Sequence, residues 1–368
     1  MTNFIWTVNK CRPSPSKKEC LFLAKERIRR NGFRMFGCIS WLFLFFSELP
    51  YASEWRFPKG WFGVLFSSEL AVGEIKSFKY FNRDYVAFRG ENEEVAILDA
   101  HCPHLGAHLG GGSCVGNTIR CPFHGWQFDQ EGKCTSIPYS ERIPPKAKEG
   151  ALKWHHVREL NQMIHLWFDP EGGEPEWEVP RSAEMSAEEG WTRWYFKRWR
   201  IKTQGKEIIE NLVDTPHFAI VHQSPIDKIT VEYDKHIARQ ISLIGQHPTL
   251  GKQLETVATY YGPGVMHVEM QGTHESRQVN FHTPVDHESL DLCYGLKLRH
   301  DSALADIDAI AEEYAGFAHK AFYEDVEIWE NKVYREAPLL CQADGQLFEL
   351  RKWYRQFFVD APLQTNIA

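Results

Sequence analysis

Two short segments of this 368-residue chain carry mixed thiol and imidazole pairs, Cys102-x-His104 and Cys121-x-x-His124, joined by the glycine-rich stretch 105–120. Two thiolates on one iron and two neutral imidazoles on the other are what a Rieske 2Fe-2S cluster requires, and two loops giving one Cys and one His each would clamp both irons. Glycine at 106 and 125 lets the backbone turn tightly beside the sulfides. The same residue types also fit a four-ligand zinc site, although zinc sites more often pair Cys with Cys and His with His.

A second group comprises His217 and His222 in ENLVDTPHFAIVH and Asp325 in FYEDVEIWENK. Two histidines and one carboxylate on one face of Fe(II) leave positions open for dioxygen and substrate. Each residue also has an ordinary use: His217 as a satisfied core residue, His222 as a cation at a helix end, Asp325 in a buried ion pair. A chain that stores single electrons in a cluster has a use for such an iron, and the triad is the reading taken here. Asp214 lies three residues before His217, on the same helical face, and is placed to accept a ring N–H and fix that ring's orientation. Asn211, a turn earlier, is placed toward the open coordination side. Capping of a distorted helix is the alternative for both.

These groups need elements to hold them. From Trp55 to about Pro170 the segments GWFGVLF, IKSFKYF, DYVAFRG, EEVAILDA and QMIHLWF read as strands divided by Gly, Asn and Asp turns, an all-β module from which the two Cys/His loops project. PEGGEPEWEVP marks a boundary. The second half opens on the strand WTRWYFKRWRI, turns to helix over Lys206–His222 with a kink or restart at Pro216, and continues with strand-like runs that predict an antiparallel sheet. The last helix, about Leu304–Lys332, carries an apolar stripe of Ile307, Ile310, Ala311, Tyr314, Phe317, Ala318, Ala321, Phe322, Ile328 and Trp329. Asp325 interrupts that stripe, so its carboxylate should be buried beside a cation or strong donor. Glu324 and Glu327 read as solvated.

A hydrophobic content of 43% with 25% charged residues describes a globular chain with material for two domains, and a net charge of −7 without long charged blocks argues against nucleic acid as a partner. Of nine cysteines, the seven outside the ligand pairs show no framework spacing, which suits a reducing, cytoplasmic setting. Residues 1–54 form a basic extension ending in the apolar run Met35–Phe46. That run is short of the about 20 residues a spanning helix needs; a tail outside the core is the reading taken first, with membrane association and a helix packed on the body as the alternatives. No G-x-G-x-x-G fingerprint is present, so NAD(P)H can serve only indirectly, through a separate ferredoxin and reductase or a single reductase.

In CPHLGAHLGGG, CPFHGWQFD, ENLVDTPHFAIVH, FYEDVEIWENK and DGQLFELRKWYRQFF the chain, over about 55–360, resembles the oxygenase component of Rieske non-haem iron oxygenases. It looks most like their steroid branch, the Neverland-type cholesterol 7-desaturases and 3-ketosteroid 9α-hydroxylases. The resemblance implies Cys102, His104, Cys121 and His124 as cluster ligands, His217, His222 and Asp325 as iron ligands, Asp214 as a bridge toward a neighbouring subunit's cluster, and a head-to-tail homotrimer. Leu105 stands where aromatic-ring dioxygenases more often have Arg. Ala107 and Phe123 stand where respiratory Rieske proteins have bracing cysteines, which implies the low-potential oxygenase type.

The expectation is an α+β, helix-grip enzyme: an N-terminal extension 1–54, a Rieske domain 55–172, and a mononuclear-iron catalytic domain 173–368. It would use O2 to hydroxylate or desaturate an apolar polycyclic substrate, a sterol or steroid. The rivals are the same chemistry on a chlorophyll-like or aromatic acid substrate, and a Rieske electron carrier without catalysis.

Overall fold

The computed structural model describes residues 57–244, 254–272, 274–301 and 306–358. The extension 1–54, with its apolar run, lies outside the described residues. Every sheet is antiparallel. In the first half, Gly60–Phe66 pairs with Met163–Phe168, which pairs with Val157–Leu160. A second sheet holds Ile75–Tyr80, Arg83–Arg89, Val95–Asp99 and Trp154–His155. Its first hairpin turns through Phe81 and Asn82 at φ 53° and 59°, the primed-turn geometry that matches strand twist. Between Val95–Asp99 and Trp154–His155 the chain inserts a sheet of very short strands, Ser113–Val115, Thr118–Arg120, Gln127–Phe128 and Cys134–Ser136. The two Cys/His loops border that sheet. Its core is Phe88, Leu98, Leu109, Ile119, Trp126 and Phe128, packed around Cys102 and Cys121.

The second half is a seven-stranded sheet in the order Tyr195–Ile201, Leu290–Leu298, Ser276–Pro284, Val265–Gln271, Leu254–Tyr261, Ile237–Ile244, Ile226–Asp234. Two interior strands, Leu290–Leu298 and Ser276–Pro284, are buried along their whole length, so they lack the alternation of a half-exposed strand. Register sorts the side chains. Leu290, Leu292, Tyr294, Leu296 and Leu298 point to one face, where the helix Ile307–Asn331 packs through Ala311, Ala315, Val326 and Trp329. At the other end of this face, Ala238, Ala258, Tyr260 and Val268 meet the helix Leu347–Arg355 through Leu350, Trp353 and Tyr354. An antiparallel sheet with helices packed on one face is the α+β helix-grip arrangement expected from the sequence.

The opposite face carries Val279, Phe281 and Cys293 against Trp61, Phe66 and Trp167 of the first half. Phe62 bridges to Gly264, and Thr283 Oγ1 donates to the Gly63 carbonyl at 2.7 Å. The fit depends on absent side chains: a Cβ on Gly63 would overlap the Phe281 ring, and one on Gly264 would overlap the Phe62 ring. Gly63→Ala should therefore cost about 1–3 kcal/mol by overpacking, more than alanine's backbone advantage in a strand returns. Chemical denaturation of the variant, compared at equal cluster content, measures this.

Of the kink or restart expected at Pro216, the structure has the restart: Gly205–Ile209 passes into a tight turn at Glu210–Leu212, breaks at Asp214, and restarts as Thr215–Ile220 with Pro216 in its first turn. Pro216 lacks the N–H that a first turn leaves unused, so it favours a start there. The long helix buries a narrower face than the predicted stripe: Phe317 is 65% and Ile328 46% exposed, and Ala321 is also exposed, whereas Ala315 and Val326 are buried.

Candidate functional site

Both Cys/His loops close in the same way. Cys102 N–H donates to Ala107 O at 2.9 Å and Gly106 N–H to Cys102 O at 2.9 Å; Cys121 N–H donates to Trp126 O at 2.8 Å and Gly125 N–H to Cys121 O at 3.1 Å. Gly106 and Gly125 take φ of 75° and 72°, a left-handed conformation that glycine adopts without a Cβ penalty. His104 follows its cysteine by two residues and His124 by three, yet the rings lie 4.7 Å apart between centroids. Cys102 and Cys121 are both buried, with their thiols in hydrogen-bonding reach of one another. Burial pushes the Cys102 thiol up to about 11, while the His104 backbone N–H works against this. A cation between the two facing sulfurs would offset the burial that disfavours the Cys102 thiolate. Two soft sulfur donors and two imidazoles converging from matched loops thus fit a 2Fe-2S cluster of mixed ligation.

Two residues not singled out in the sequence frame this loop pair. Trp126 stacks on His104 at 4.6 Å with an interplanar angle of 8°, and its Nε1–H donates to Tyr139 OH at 2.7 Å. The motif CPFHGWQFD places Trp126 two residues after a ligand, but spacing alone gives no sign that it covers the other imidazole. Leu105, Phe123 and Tyr139 are exposed around the rings.

In the second half, His217, His222 and Asp325 each offer a ligand atom, all within 4.8 Å of one another. His217 stands on the restarted helix, His222 just beyond its end, and Asp325 on the long helix, so three elements converge. Asp325 is 5% exposed. His222 Nε2 lies 3.2 Å from Asp325 Oδ1, and Asn211 Nδ2 donates to Asp325 Oδ2 at 3.1 Å. Asn211 therefore meets the site by holding the carboxylate. Burial pulls the His222 pKa down most strongly, but Asp325 and then Glu324 outweigh it, so the net displacement is upward. Three donors this close, with a buried carboxylate among them, suit a divalent cation, and the 2-His-1-carboxylate set matches a mononuclear iron with open positions.

Asp214 does not sit on a helical face with His217; it precedes the restarted helix as its N-cap residue. Its backbone oxygen takes His217 Nδ1, and its carboxylate Oδ2 stands 3.7 Å from that nitrogen. The contact with His217 is the main reason its carboxyl lies below the usual range. Glu324, read as solvated, reaches His222 Nδ1 at 3.4 Å. The segment bearing these residues is tied to its surroundings by charge: Lys332 bridges Glu207 at 2.7 Å and Glu210 at 3.4 Å, and Arg351 pairs with Glu210 at 2.7 Å.

Between the two helix-packed ends, the same sheet face presents Gln240, Ser242, Gln278, Asn280 and His282, all buried. Gln240 Nε2 donates to Leu212 O at 2.6 Å, fastening the ligand-bearing segment to the sheet. Asn280 Oδ1 and both nitrogens of His282 have no hydrogen-bond partner among the described residues. Burial holds the His282 imidazole neutral, its pKa lowered to about 3.

The family model for the 3-ketosteroid 9alpha-hydroxylase C-terminal domain matches residues 166–358, and that for the Rieske [2Fe-2S] domain matches residues 60–148. A 3-ketosteroid-9-alpha-monooxygenase oxygenase component from Rhodococcus rhodochrous is 34% identical over 335 residues, 84% of this chain and 84% of that protein. Cholesterol 7-desaturase nvd from Xenopus laevis is 31% identical over 337 residues, 82% of this chain and 72% of that protein. Two solved structures share the fold. Apo dicamba monooxygenase has a TM-score of 0.65 at 17% identity, covering 81% of this chain and 96% of its own. Pseudomonas putida CBB5 NdmA with caffeine has a TM-score of 0.65 at 20% identity, covering 84% and 97%.

Proposed function

Because the chain belongs to the Rieske oxygenases that carry the 3-ketosteroid 9α-hydroxylase type of C-terminal domain, we propose that it is the terminal oxygenase of a multicomponent system and oxidises a sterol or steroid with dioxygen. The observation that carries this reading is the convergence of His217, His222 and Asp325 within 4.8 Å in a chain that also brings two Cys/His loops together. Cys102, His104, Cys121 and His124 are assigned to the cluster, and His217, His222 and Asp325 to the iron. The cluster module is taken as residues 55–172 and the catalytic module as 173–368.

A Rieske cluster supplies electrons singly, and a mononuclear iron with open positions supplies the activation of dioxygen. The chain's own residues set the conditions. Asn211 fixes Asp325 through Oδ2, with both carboxylate oxygens kept on the side of His222 Nε2. Asp214 fixes the His217 ring through Nδ1, so that Nε2 is the free donor. On the sheet face between the two helix-packed ends, Asn280 Oδ1 and both His282 nitrogens have no partner among the described residues. A buried polar atom without a partner favours a ligand that supplies one, and the polar group at one end of a steroid would do so.

The partners that follow are a reductase with or without a ferredoxin, dioxygen and the steroid. A head-to-tail homotrimer would let Asp214 pass electrons from a neighbour's cluster. Lack of disulfides among the described cysteines supports a cytoplasmic setting, and no described helix is long and apolar enough to cross a membrane.

The test uses the full chain with a surrogate ferredoxin and reductase, offered 3-keto steroids, 3-hydroxy sterols and an aromatic acid. The expected result is about three irons per chain and reductant-dependent formation of a steroid product that has gained one oxygen or lost two hydrogens. Product from the aromatic acid alone would move the substrate class. An iron content of about two with no product would support the electron-carrier reading.

A further inference from the structure

Building on the metal-centre reading above, we infer that Glu324 is a positioning residue for that centre, holding His222 by its Nδ1 so that Nε2 is presented to the metal. His222 is the least supported of the three candidate ligands by its own backbone. It lies past the end of Thr215–Ile220, next to Gln223 at φ 52°, and the Ser224 hydroxyl donates to its carbonyl at 3.1 Å. His217 has a helix beneath it and the Asp214 carbonyl on Nδ1. The ring of His222 must instead be oriented from outside.

Two consecutive residues of the long helix do this. Asp325 is buried and approaches Nε2 at 3.2 Å; Glu324 approaches Nδ1 at 3.4 Å from the more open side, its side chain 44% exposed. Adjacent helix positions diverge by about 100°, so they can reach opposite nitrogens of one imidazole standing against the helix. A carboxylate on Nδ1 fixes the neutral ring with its proton there and leaves Nε2 with a lone pair, the tautomer a metal needs. Asp325, by contrast, shares the Nε2 side with His217 and belongs to the ligand set. The division of labour puts a ligand and a tautomer-setting group side by side in the sequence, and only the first interrupts the apolar stripe.

Removing a group that orients a ligating histidine weakens metal binding by about 10- to 100-fold, and the partial exposure of Glu324 places it at the lower end, about tenfold. The experiment is equilibrium dialysis of the full, cluster-loaded chain, emptied of mononuclear metal, against cobalt(II), read by metal analysis; the visible circular dichroism of the cluster confirms an intact fold. Glu324→Ala is expected to bind cobalt about tenfold more weakly. Glu324→Gln, whose amide oxygen can still accept from Nδ1, is expected to restore most of that loss. Wild-type affinity in Glu324→Ala overturns the inference, and so does a loss in Glu324→Gln equal to that in Glu324→Ala. His222→Ala, measured alongside, separates the two levels: if it binds cobalt as wild type does, the metal-centre reading itself fails and the inference goes with it. If His222→Ala is impaired and Glu324→Ala is not, only the inference fails.

Discussion

Asp325→Ala should leave a chain that keeps its two cluster irons and loses the third, so that iron content falls from about three per chain to about two and coupled turnover falls to background. The cluster loops lie in a separate core, around Phe88, Leu98 and Phe128, that makes no use of Asp325, so the visible spectrum of the cluster should be unchanged. Loss of the carboxylate removes one of three protein donors and leaves Asn211 without its acceptor. Asp325 lies in the interior of the long helix, whose Val326 and Trp329 anchor it to the sheet without Asp325, and alanine is a strong helix former, so the protein should remain folded. Retention of full iron occupancy in the variant would remove Asp325 from the ligand set.

The second large effect separates electron delivery from metal binding. Asp214→Asn should retain the cluster, accept electrons into it at the normal rate, and hold most of its mononuclear iron, because the backbone carbonyl that meets His217 Nδ1 is untouched by the substitution. Coupled turnover should nevertheless drop, toward the upper end of the about 10- to 100-fold range seen when an outer partner of a metal ligand is altered. Asn keeps one acceptor oxygen but replaces the other with a donor and removes the charge now stabilised by His217. Rapid-mixing measurement of cluster reduction, together with iron analysis and turnover, checks the three statements separately. Near-normal turnover would defeat the bridging role; loss of iron would reduce Asp214 to a support for His217.

What the sequence disclosed about these sites follows from how narrowly chemistry restricts a residue. Cysteine paired with histidine at short spacing has few uses, and the two loops are found closed on one another. Asp325 was legible because an ionisable residue inside an apolar stripe demands a partner, and the restart at Pro216 because that residue has no N–H to give. The apolar stripe is broader than the face the helix buries. Periodicity gives a direction around the helix but not the width of the surface that meets it, and Phe317 and Ile328 lie beyond the edge of the sheet contact. Helical neighbours show Glu324 as solvated, which it is, but they carry no sign of His222, which comes from a segment distant in sequence. The cluster sheet was not visible as strands at all: with two or three residues each, Gln127–Phe128 and its companions are ordered by the loops they join rather than by strand propensity.

The ring-against-glycine fit between Gly63 and Phe281, and between Phe62 and Gly264, bears on how such enzymes can be recombined. A cluster module joined to a foreign catalytic module brings Phe62 and Gly63 to a surface selected with other partners, and any side chain larger than glycine at 264, or any shift of the ring at 281, leaves no room for the incoming strand. The four positions are far apart in the chain but act as one inherited unit, so substitutions among them should be matched in pairs across relatives. A functional exchange between two oxygenases therefore has its natural crossover after the strand pair that contains Phe281, or carries Gly264 and Phe281 along with the donor's cluster module.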